Sequence, residues 1–172
     1  SDVYFQNTEI RNKYYDEMPD IVEKNMTRIN VLARKNYKPF NYYGDKSATH
    51  VIVAMGSVCD TIKTVVDKLN KDGKHVGLME VHLYRPFSEK YFLNELPETT
   101  KTIAVLDRTK EPGSTGEPLY LDTLEVLKNK NIKVYGGRYG LSSKDVPLKD
   151  INGVFENIFK TKPKNHFTVG II

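Results

Sequence analysis

The chain has 172 residues, of which 39% are hydrophobic and 28% are charged, and it contains no tryptophan. The length suits one hydrophobic core but not two domains of ordinary size. The net charge of +4 comes from 26 basic and 22 acidic residues scattered along the chain, which argues against a dedicated nucleic-acid surface. The single cysteine, Cys59, excludes an internal disulfide and a metal or iron–sulfur site built from several thiolates of this chain.

Membrane and export signals are absent from the sequence. No run approaches the roughly 18 apolar residues of a membrane helix, and no signal-peptide pattern opens the chain. We therefore expect a cytoplasmic protein that has neither a membrane nor a nucleic acid as its partner.

The first 43 residues are expected to be a helical tail or linker. Val22, Met26, Ile29 and Ala33 recur at offsets that place an apolar stripe on one face of a helix. Residues 36–44, which are rich in proline and tyrosine, are interpreted as a crossing segment into the domain proper.

Residues 50–73 predict a strand, a turn and a helix. The apolar run at 50–55 is typical of a strand buried on both faces of a parallel sheet. Ser57 is expected to cap the helix that follows, whose inward residues are predicted to be Ile62, Val65, Val66 and Leu69. Gly73 suits the left-handed conformation that closes a helix.

The same alternation of strand and helix continues to the end of the chain. Strands are predicted at 76–81, 102–106 and 133–135, the last followed by a glycine-rich loop at 136–140. Helices are expected after Ser88, at Pro118 and at Pro147, with Leu124, Leu148 and Phe159 among the inward residues. Residues 167–172 are expected to form an edge strand or an extension.

These elements predict an α/β fold with three layers. Alternating strands and helices of this length imply a mainly parallel open sheet with helices on both faces. The expected division is a linker or helical tail at 1–43, the α/β domain at 44–160, and a C-terminal extension or edge strand at 161–172.

Four loops are expected to meet at the carboxyl edge of this sheet, where ligands or partners usually dock. They follow the predicted strands at 56–59, 84–87, 107–116 and 136–140. Gly56 and Ser57, ahead of a helix, are compatible with a phosphate cradle, but we favour a capped helix with a tight turn. The glycine fingerprints of dinucleotide and nucleoside triphosphate sites are both absent.

Charged residues in these loops are candidate contacts to a ligand or to a neighbouring domain. Arg85, Arg108 and Arg138 are predicted to form a positive rim, because arginine suits bidentate contacts to carboxylate or phosphate. Lys110 and Glu111 supply either acid–base or anion-clamping chemistry, or ion pairs that fix the loop or dock a domain. We favour ion pairing, and we expect Cys59 to be a packing residue rather than a nucleophile.

Four stretches carry a resemblance to a known family. They are AVLDRTKEPGSTGEPLYLD at 104–122, HVIVAMGSVCDTI at 50–62, VGLMEVHLYRPFS at 76–88 and VYGGRYGLSSKDV at 134–146. In this order and spacing, the chain resembles domain II of pyruvate:ferredoxin (flavodoxin) oxidoreductase. The resemblance implies a fold similar to the C-terminal domain of transketolase.

The resemblance also implies an excised domain of a larger enzyme. Enzymes of this family convert pyruvate and coenzyme A to acetyl-CoA and CO2 in anaerobic metabolism and pass electrons to ferredoxin or flavodoxin. Thiamine diphosphate, Mg2+ and iron–sulfur clusters are implied for the parent, which is expected to be a homodimer, and none of them for this segment.

The resemblance brings no catalytic residue and no metal ligand to this chain, so we expect a domain that is inactive alone and packs against other domains of the same polypeptide. The alternative is an autonomous α/β domain that binds a nucleotide-like anion at the Gly56–Cys59 and Arg108–Gly116 loops.

Overall fold

Apolar strand runs alternate with amphipathic helices along most of the chain, and the computed structural model, which describes residues 1–171, joins the strands into one six-stranded sheet. The strands are β1 (Phe40–Gly44), β2 (His50–Ala54), β3 (Val76–Val81), β4 (Thr102–Asp107), β5 (Lys133–Arg138) and β6 (Phe167–Thr168). The helices are α1 (Asp2–Ile10), α2 (Asn12–Ala33), α3 (Val58–Lys71), α4 (Glu89–Glu95), α5 (Pro118–Leu127) and α6 (Leu148–Phe159).

The strand order across the sheet is β1-β3-β2-β4-β5-β6. All neighbouring strands are parallel except β1, which pairs antiparallel with β3. In the centre of the sheet, Val51 of β2 lies opposite Gly77 on one side and Ile103 on the other. The chain order therefore reverses at β2, and such a switch point is where open α/β sheets usually bind ligands, at the carboxyl ends of the strands.

Both faces of the sheet are covered, which confirms the predicted three-layer, mainly parallel α/β fold. Adjacent residues of a strand point to opposite faces, so Ile52 and Val53 of β2 belong to two separate clusters. Ile52 packs in the layer with α3 and α6, and Val53 packs in the layer with α4 and α5. Each large aliphatic side chain buried in this way contributes roughly 1.5–3 kcal/mol.

The turns between strands and helices agree with the sequence prediction in most places. Gly73 has a φ of 74°, and its N–H donates to the carbonyl of Asn70 while that of Lys74 donates to Leu69. This pair of bonds is the left-handed closure that was expected for α3. Ser88 caps α4 by accepting a hydrogen bond from the N–H of Tyr91 at 3.5 Å.

The capping role predicted for Ser57 is wrong. Its backbone is already helical, with φ −62° and ψ −22°, and its side chain makes no capping hydrogen bond to α3. A capping hydroxyl needs an extended backbone to turn back onto the first turn of the helix, and the preceding glycine, Gly56 with φ 78°, has already turned the chain here.

Three residues predicted to face inward are instead exposed to solvent. Leu124 of α5, Leu148 of α6 and Phe159 of α6 have exposed fractions of 40%, 50% and 36%. In α5 the buried residues are Leu119, Tyr120, Thr123 and Leu127. The buried face of α5 therefore differs from the face formed by its leucines, because the ring of Tyr120 packs into the space next to Gly116 and Gly136.

Strands β1 and β5 differ from the sequence interpretation, whereas the edge strand β6 agrees with it. Phe40–Gly44, interpreted as part of a crossing segment, forms strand β1 and pairs with β3. The glycine-rich segment predicted as a loop contributes Gly136, Gly137 and Arg138 to β5. The predicted edge strand is confirmed at Phe167–Thr168, and Ile172 lies outside the described residues. The division at 43/44 stays a prediction, although β1 lies across it.

The predicted amphipathic helix near the N-terminus is confirmed as part of α2. It continues through Pro19, which is its buried residue. Asp20 fastens α2 to α4 by accepting from the ammonium of Lys90 at 2.9 Å and from the hydroxyl of Tyr91 at 2.7 Å. Within residues 1–171, no helix combines the length and the apolar character needed to cross a membrane.

Candidate functional site

A cleft of about 410 Å³ opens at the carboxyl edge, where β2, β4 and β5 end. Helix α3 contributes Thr61, and Ser57 lies immediately before this helix. Arg108 enters from the loop after β4, and Lys144 from the segment between β5 and α6. The structure therefore brings two of the predicted site residues, Ser57 and Arg108, to the reversal of strand order.

The rim of this cleft is held by contacts between the loops themselves. The guanidinium of Arg108 donates through Nε to the carbonyl oxygen of Gly140 at 3.3 Å. Gly140 has a φ of 61°, which favours glycine, and an added Cβ would lie 3.2 Å from that nitrogen, so a larger residue would be strained and would require Arg108 to shift. The hydroxyl of Tyr139 donates to the carbonyl oxygen of Met55 at 3.4 Å and joins the ends of β5 and β2.

The loop between β4 and α5 is called the charged loop below. Asp107, the last residue of β4, ties this loop to helix α5. Its carboxylate accepts hydrogen bonds from the backbone N–H groups of Leu119 at 2.9 Å and Tyr120 at 3.0 Å. These donors are among those that a helix start leaves unpaired. Burial raises the pKa of this carboxyl, the two N–H groups oppose the rise, and the nearby charge of Glu117 adds to it. Asp107 therefore fixes both ends of the loop that it begins.

The loop between β4 and α5 forms a second pocket of about 360 Å³, lined by residues 110–117 together with Arg138 and His166. Here the structure brings together three more predicted residues, Lys110, Glu111 and Arg138. Nη1 of Arg138 donates to Oε1 of Glu117 at 3.3 Å, and its Nη2 donates to the carbonyl oxygen of His166 at 2.8 Å. Arg138 thereby joins this loop to the edge of the sheet next to β6.

Arg85 lies apart from both of these pockets. Its guanidinium donates to Oδ2 of Asp122 through Nε at 3.2 Å and Nη2 at 3.1 Å, and it lies over the ring of Tyr84. With Tyr15, Arg85 and Asp122 line a third pocket between α2 and α5. The three arginines expected as one rim are thus found at three separate places along the edge.

The sequence did not single out two residues of this edge, Glu117 and His166, as site residues. Glu117 is buried, and its Oε2 has no hydrogen-bond partner within the described structure. His166 approaches the ring of Tyr120 edge-on, with centroids 5.4 Å apart. A glutamate directly before the proline of a helix start is a local signal for Glu117. His166 carries no such signal, because β6 brings it there from far along the chain.

Cys59 is buried in the layer formed by α3 and α6. Burial raises the pKa of its thiol to about 12, and the negative charge of Glu80 acts in the same direction. A thiol of that pKa is not a thiolate near neutral pH and therefore not a nucleophile. The residue acts as a small apolar side chain of the core.

No group of three or more His, Cys, Asp or Glu side chains within residues 1–171 is arranged to hold a metal ion. An iron–sulfur cluster needs several thiolates, and the chain has one cysteine. The described side chains therefore do not fit a metal or cluster site formed by this chain alone.

The fold of this α/β domain is similar to that of a transketolase chain. In the structure described as a split-gene transketolase, inactive β4 tetramer, 40% of that chain matches 73% of this one with a TM-score of 0.50. The sequence identity is 12%, so this likeness concerns the fold alone.

The family follows from the sequence comparisons. The model of pyruvate:ferredoxin oxidoreductase core domain II matches residues 48–151, and the chain belongs to this family. It is 50% identical over 173 residues to pyruvate-flavodoxin oxidoreductase of Klebsiella pneumoniae, and 51% identical over 172 residues to pyruvate:ferredoxin oxidoreductase of Moorella thermoacetica. Each match covers 99% of this chain and 15% of the relative, so the chain corresponds to a fragment of these enzymes.

Proposed function

We propose that the chain is a non-catalytic structural and interdomain module of a pyruvate:ferredoxin (flavodoxin) oxidoreductase, and that it is inactive alone. The observation that carries this proposal is the engagement of the charged groups at the carboxyl edge. Arg85 pairs with Asp122 and Arg138 with Glu117, while Asp107 binds the start of α5. Pairs of this kind hold the loops in position, which is a structural role.

For the parent enzyme we propose the reaction expected of the family. Pyruvate and coenzyme A are converted to acetyl-CoA and CO2, and the electrons pass to ferredoxin or flavodoxin in the anaerobic metabolism of the cytoplasm. Thiamine diphosphate, Mg2+ and iron–sulfur clusters would be held by other domains of a homodimeric parent. The 15% share of the relatives' length supports this assignment to a larger polypeptide.

The N-terminal helices support an interdomain role. Tyr4 of α1 and Val31 and Leu32 of α2 have exposed fractions of 75%, 78% and 86%. Such a concentration of exposed apolar side chains is typical of a surface that another protein part covers. We propose that residues 1–43 connect the preceding domain to the α/β domain at 44–160, and that 161–172 is its edge extension.

A second candidate function is the binding of an anionic, nucleotide-like ligand in the cleft that contains Ser57 and Arg108. Arg108 and Lys144 supply positive charge to this cleft, and the start of α3 lies at its wall. In addition, Ser142 and Ser143, between β5 and α6, have φ values of 52° and 59°. Positive φ at non-glycine residues is more frequent at functional sites.

Calorimetric titration with coenzyme A separates the two functions, with thiamine diphosphate and NAD+ measured alongside. The interdomain module is expected to show no saturable heat with any of the three. Micromolar binding of coenzyme A that Arg108→Ala abolishes would establish the second function instead. Arg85→Ala is the matched control, since this arginine lies in a different pocket and its loss would leave such binding unchanged.

A further inference from the structure

Exposed lysines gather at the amino edge of the sheet, opposite to the edge that holds the cleft at Arg108. There β2 to β5 begin in register, with His50 opposite Val76 and Thr102, and with Thr102 opposite Lys133. Helix α6 ends at this edge, because its last ring meets that of His50 with centroids 5.0 Å apart. The connections along this edge, which we call the amino-edge face, are residues 45–50, 71–76, 96–102, 127–133 and 159–162.

The amino-edge face carries a large share of the positive charge of the protein. Its five segments hold nine lysines, all of them exposed, no arginine and three acidic residues, which is an excess of six positive charges. The whole chain has 26 basic and 22 acidic residues, so 17 basic and 19 acidic residues remain outside the face. The fold therefore gathers on one side of the molecule lysines that are scattered along the sequence.

Ion pairing and helix ends account for only part of this cluster. Lys128 pairs with Glu125, which lies just outside the face and reduces the excess to five charges. A lysine at a helix C-terminus is stabilised by the helix dipole, but Lys101 and Lys133 lie at strand starts, where the N–H of Lys133 donates to the carbonyl of Lys101 at 2.9 Å. Burial lowers the pKa of His50, and the charge of Lys101 acts in the same direction. Such a concentration of like charge destabilises the folded state through repulsion, so fold stability does not explain it.

The composition of the face favours carboxylates over nucleic acid as the partner groups. Recognition of phosphates and bases relies largely on the planar guanidinium of arginine, whereas lysine is a strongly hydrated point charge. Single-stranded nucleic acids also stack on aromatic side chains. The aromatic side chain of this face, Phe159, packs against His50 and Phe155 instead. A second copy of the chain would present the same positive charge, and the two faces would repel each other.

A face of exposed lysines suits a partner that associates and dissociates. The cores of protein interfaces are depleted in lysine, whereas complementary charges at the rim raise the rate of association and make it sensitive to salt. We propose that the amino-edge face is the docking surface for a separate protein that presents a cluster of carboxylates. This inference goes beyond the proposed interdomain function, which concerns the carboxyl edge and the N-terminal helices.

The test is a titration of the isotope-labelled chain with a hexaglutamate peptide, followed through the amide chemical shifts. Saturable shifts confined to the amino-edge face are expected, and a hexaglutamine peptide should produce none. The affinity should fall as salt rises from about 20 mM to about 200 mM, because salt screens exposed charges. The triple variant Lys101→Gln, Lys130→Gln and Lys133→Gln should lower the affinity by about tenfold, the sum of three weak exposed contacts.

The triple variant Lys13→Gln, Lys24→Gln and Lys35→Gln is the matched control. It removes the same charge from exposed lysines within α2 and just after it, and it should keep the affinity within about twofold. Equal losses in the two triple variants would show a response to net charge alone and would overturn the proposal, as would shifts spread over the carboxyl edge. All six substitutions are at exposed positions, so thermal unfolding should change little in either variant.

Two other anionic probes test the class of partner. An oligothymidylate of the same charge and phosphatidylcholine vesicles that contain phosphatidylserine are both expected to bind more weakly than hexaglutamate. Stronger binding of the oligothymidylate would assign the face to a nucleic acid, and stronger binding of the vesicles would assign it to a membrane surface. Either result would overturn the proposal. The interdomain function fails by a different result, the binding of coenzyme A at Arg108 on the opposite edge, so the two can fail independently.

Discussion

Asp107 is the side chain on which the charged loop depends most. It accepts two N–H groups from the start of α5 while it belongs to the end of β4. Asp107→Ala is expected to lower the free energy of unfolding by about 1.5–3 kcal/mol, because both donors lose a charged acceptor in a buried place. Urea denaturation measures this loss. Asp107→Asn keeps one acceptor oxygen and should lose less, so equal losses in the two variants would contradict the capping role.

The destabilisation caused by Asp107→Ala is expected to depend on pH. Burial, assisted by the charge of Glu117, raises the pKa of Asp107 above its ordinary value of 3.8. The folded state therefore binds this proton more tightly than the unfolded state does, and protonation stabilises the fold. That contribution is fully present below the ordinary pKa and is lost as the pH rises through the folded-state value. The destabilisation by Asp107→Ala should thus be larger at about pH 4 than at about pH 7.

The sequence indicated that the residues after β4 are important but not how each one is used. Residue 107 begins one of the four predicted loops and Arg138 was predicted in the positive rim, and the structure gives both of them partners inside the domain. Those partners lie 12 to 30 residues away along the chain. Pairings over such distances depend on how the loop folds back, and a local pattern of residue types does not contain that information.

Strands and helices were largely predictable because their signals are local. The buried strands β2, β3 and β4 are mostly apolar runs, and proline at the start of α5 sets the helical φ in advance. Strand β1 escaped prediction because its tyrosines lie at a half-exposed sheet edge without a regular alternation. The rotation of α5 also could not be read from its leucines, since Tyr120 occupies space left by two glycines on other elements.

The packing of β6 on β5 depends on Gly137. A Cβ added there would clash with the ring of Phe167 and lie 3.0 Å from Cδ2 of Leu106. Gly137→Ala is expected to destabilise the fold by about 1–3 kcal/mol, the usual effect of overpacking a filled core. It should also increase the hydrogen exchange of the residues in β6. Chemical denaturation and exchange measured by mass spectrometry test the two effects.

Gly153 provides the matched control for this substitution. It lies within helix α6, and a Cβ built there meets no atom within 4 Å. Gly153→Ala is therefore expected to stabilise the protein by about 0.5–1 kcal/mol through the lower entropy of the unfolded chain. Similar changes in the free energy of unfolding for both alanine variants would mean that Phe167 moves aside at no cost in stability, and would contradict the close packing of Phe167 on Gly137.

The distribution of the candidate site over the domain was not predictable from sequence. The loops were expected to meet at one edge, and they do lie there, but they divide among three pockets. This division follows from the strand order, which separates the end of β3 from the end of β5 by β2 and β4. Strand order depends on long-range pairing of similar apolar runs. The alternation of strands and helices therefore predicts the fold class but not which strands lie next to each other in the sheet.

The apolar surface of the N-terminal helices yields a prediction for the whole domain in solution. Val31 and Leu32 are 78% and 86% exposed, so their replacement removes apolar surface without opening the core. The double variant Val31→Ser with Leu32→Ser should bind less of a hydrophobic fluorescent dye and associate less in sedimentation experiments. Its free energy of unfolding should stay within about 0.5 kcal/mol of the parent sequence, as is usual for surface substitutions.

Val154→Ser, in the buried face of α6, is the control for that double variant, because it removes a similar side chain from the core. It should lower the free energy of unfolding by at least about 1 kcal/mol, since it leaves both a cavity and a buried hydroxyl. If the surface variant were destabilised as strongly, Val31 and Leu32 would already be packed in the free protein. The N-terminal helices would then be part of its own core or of a dimer, and they would not be open for a neighbouring domain.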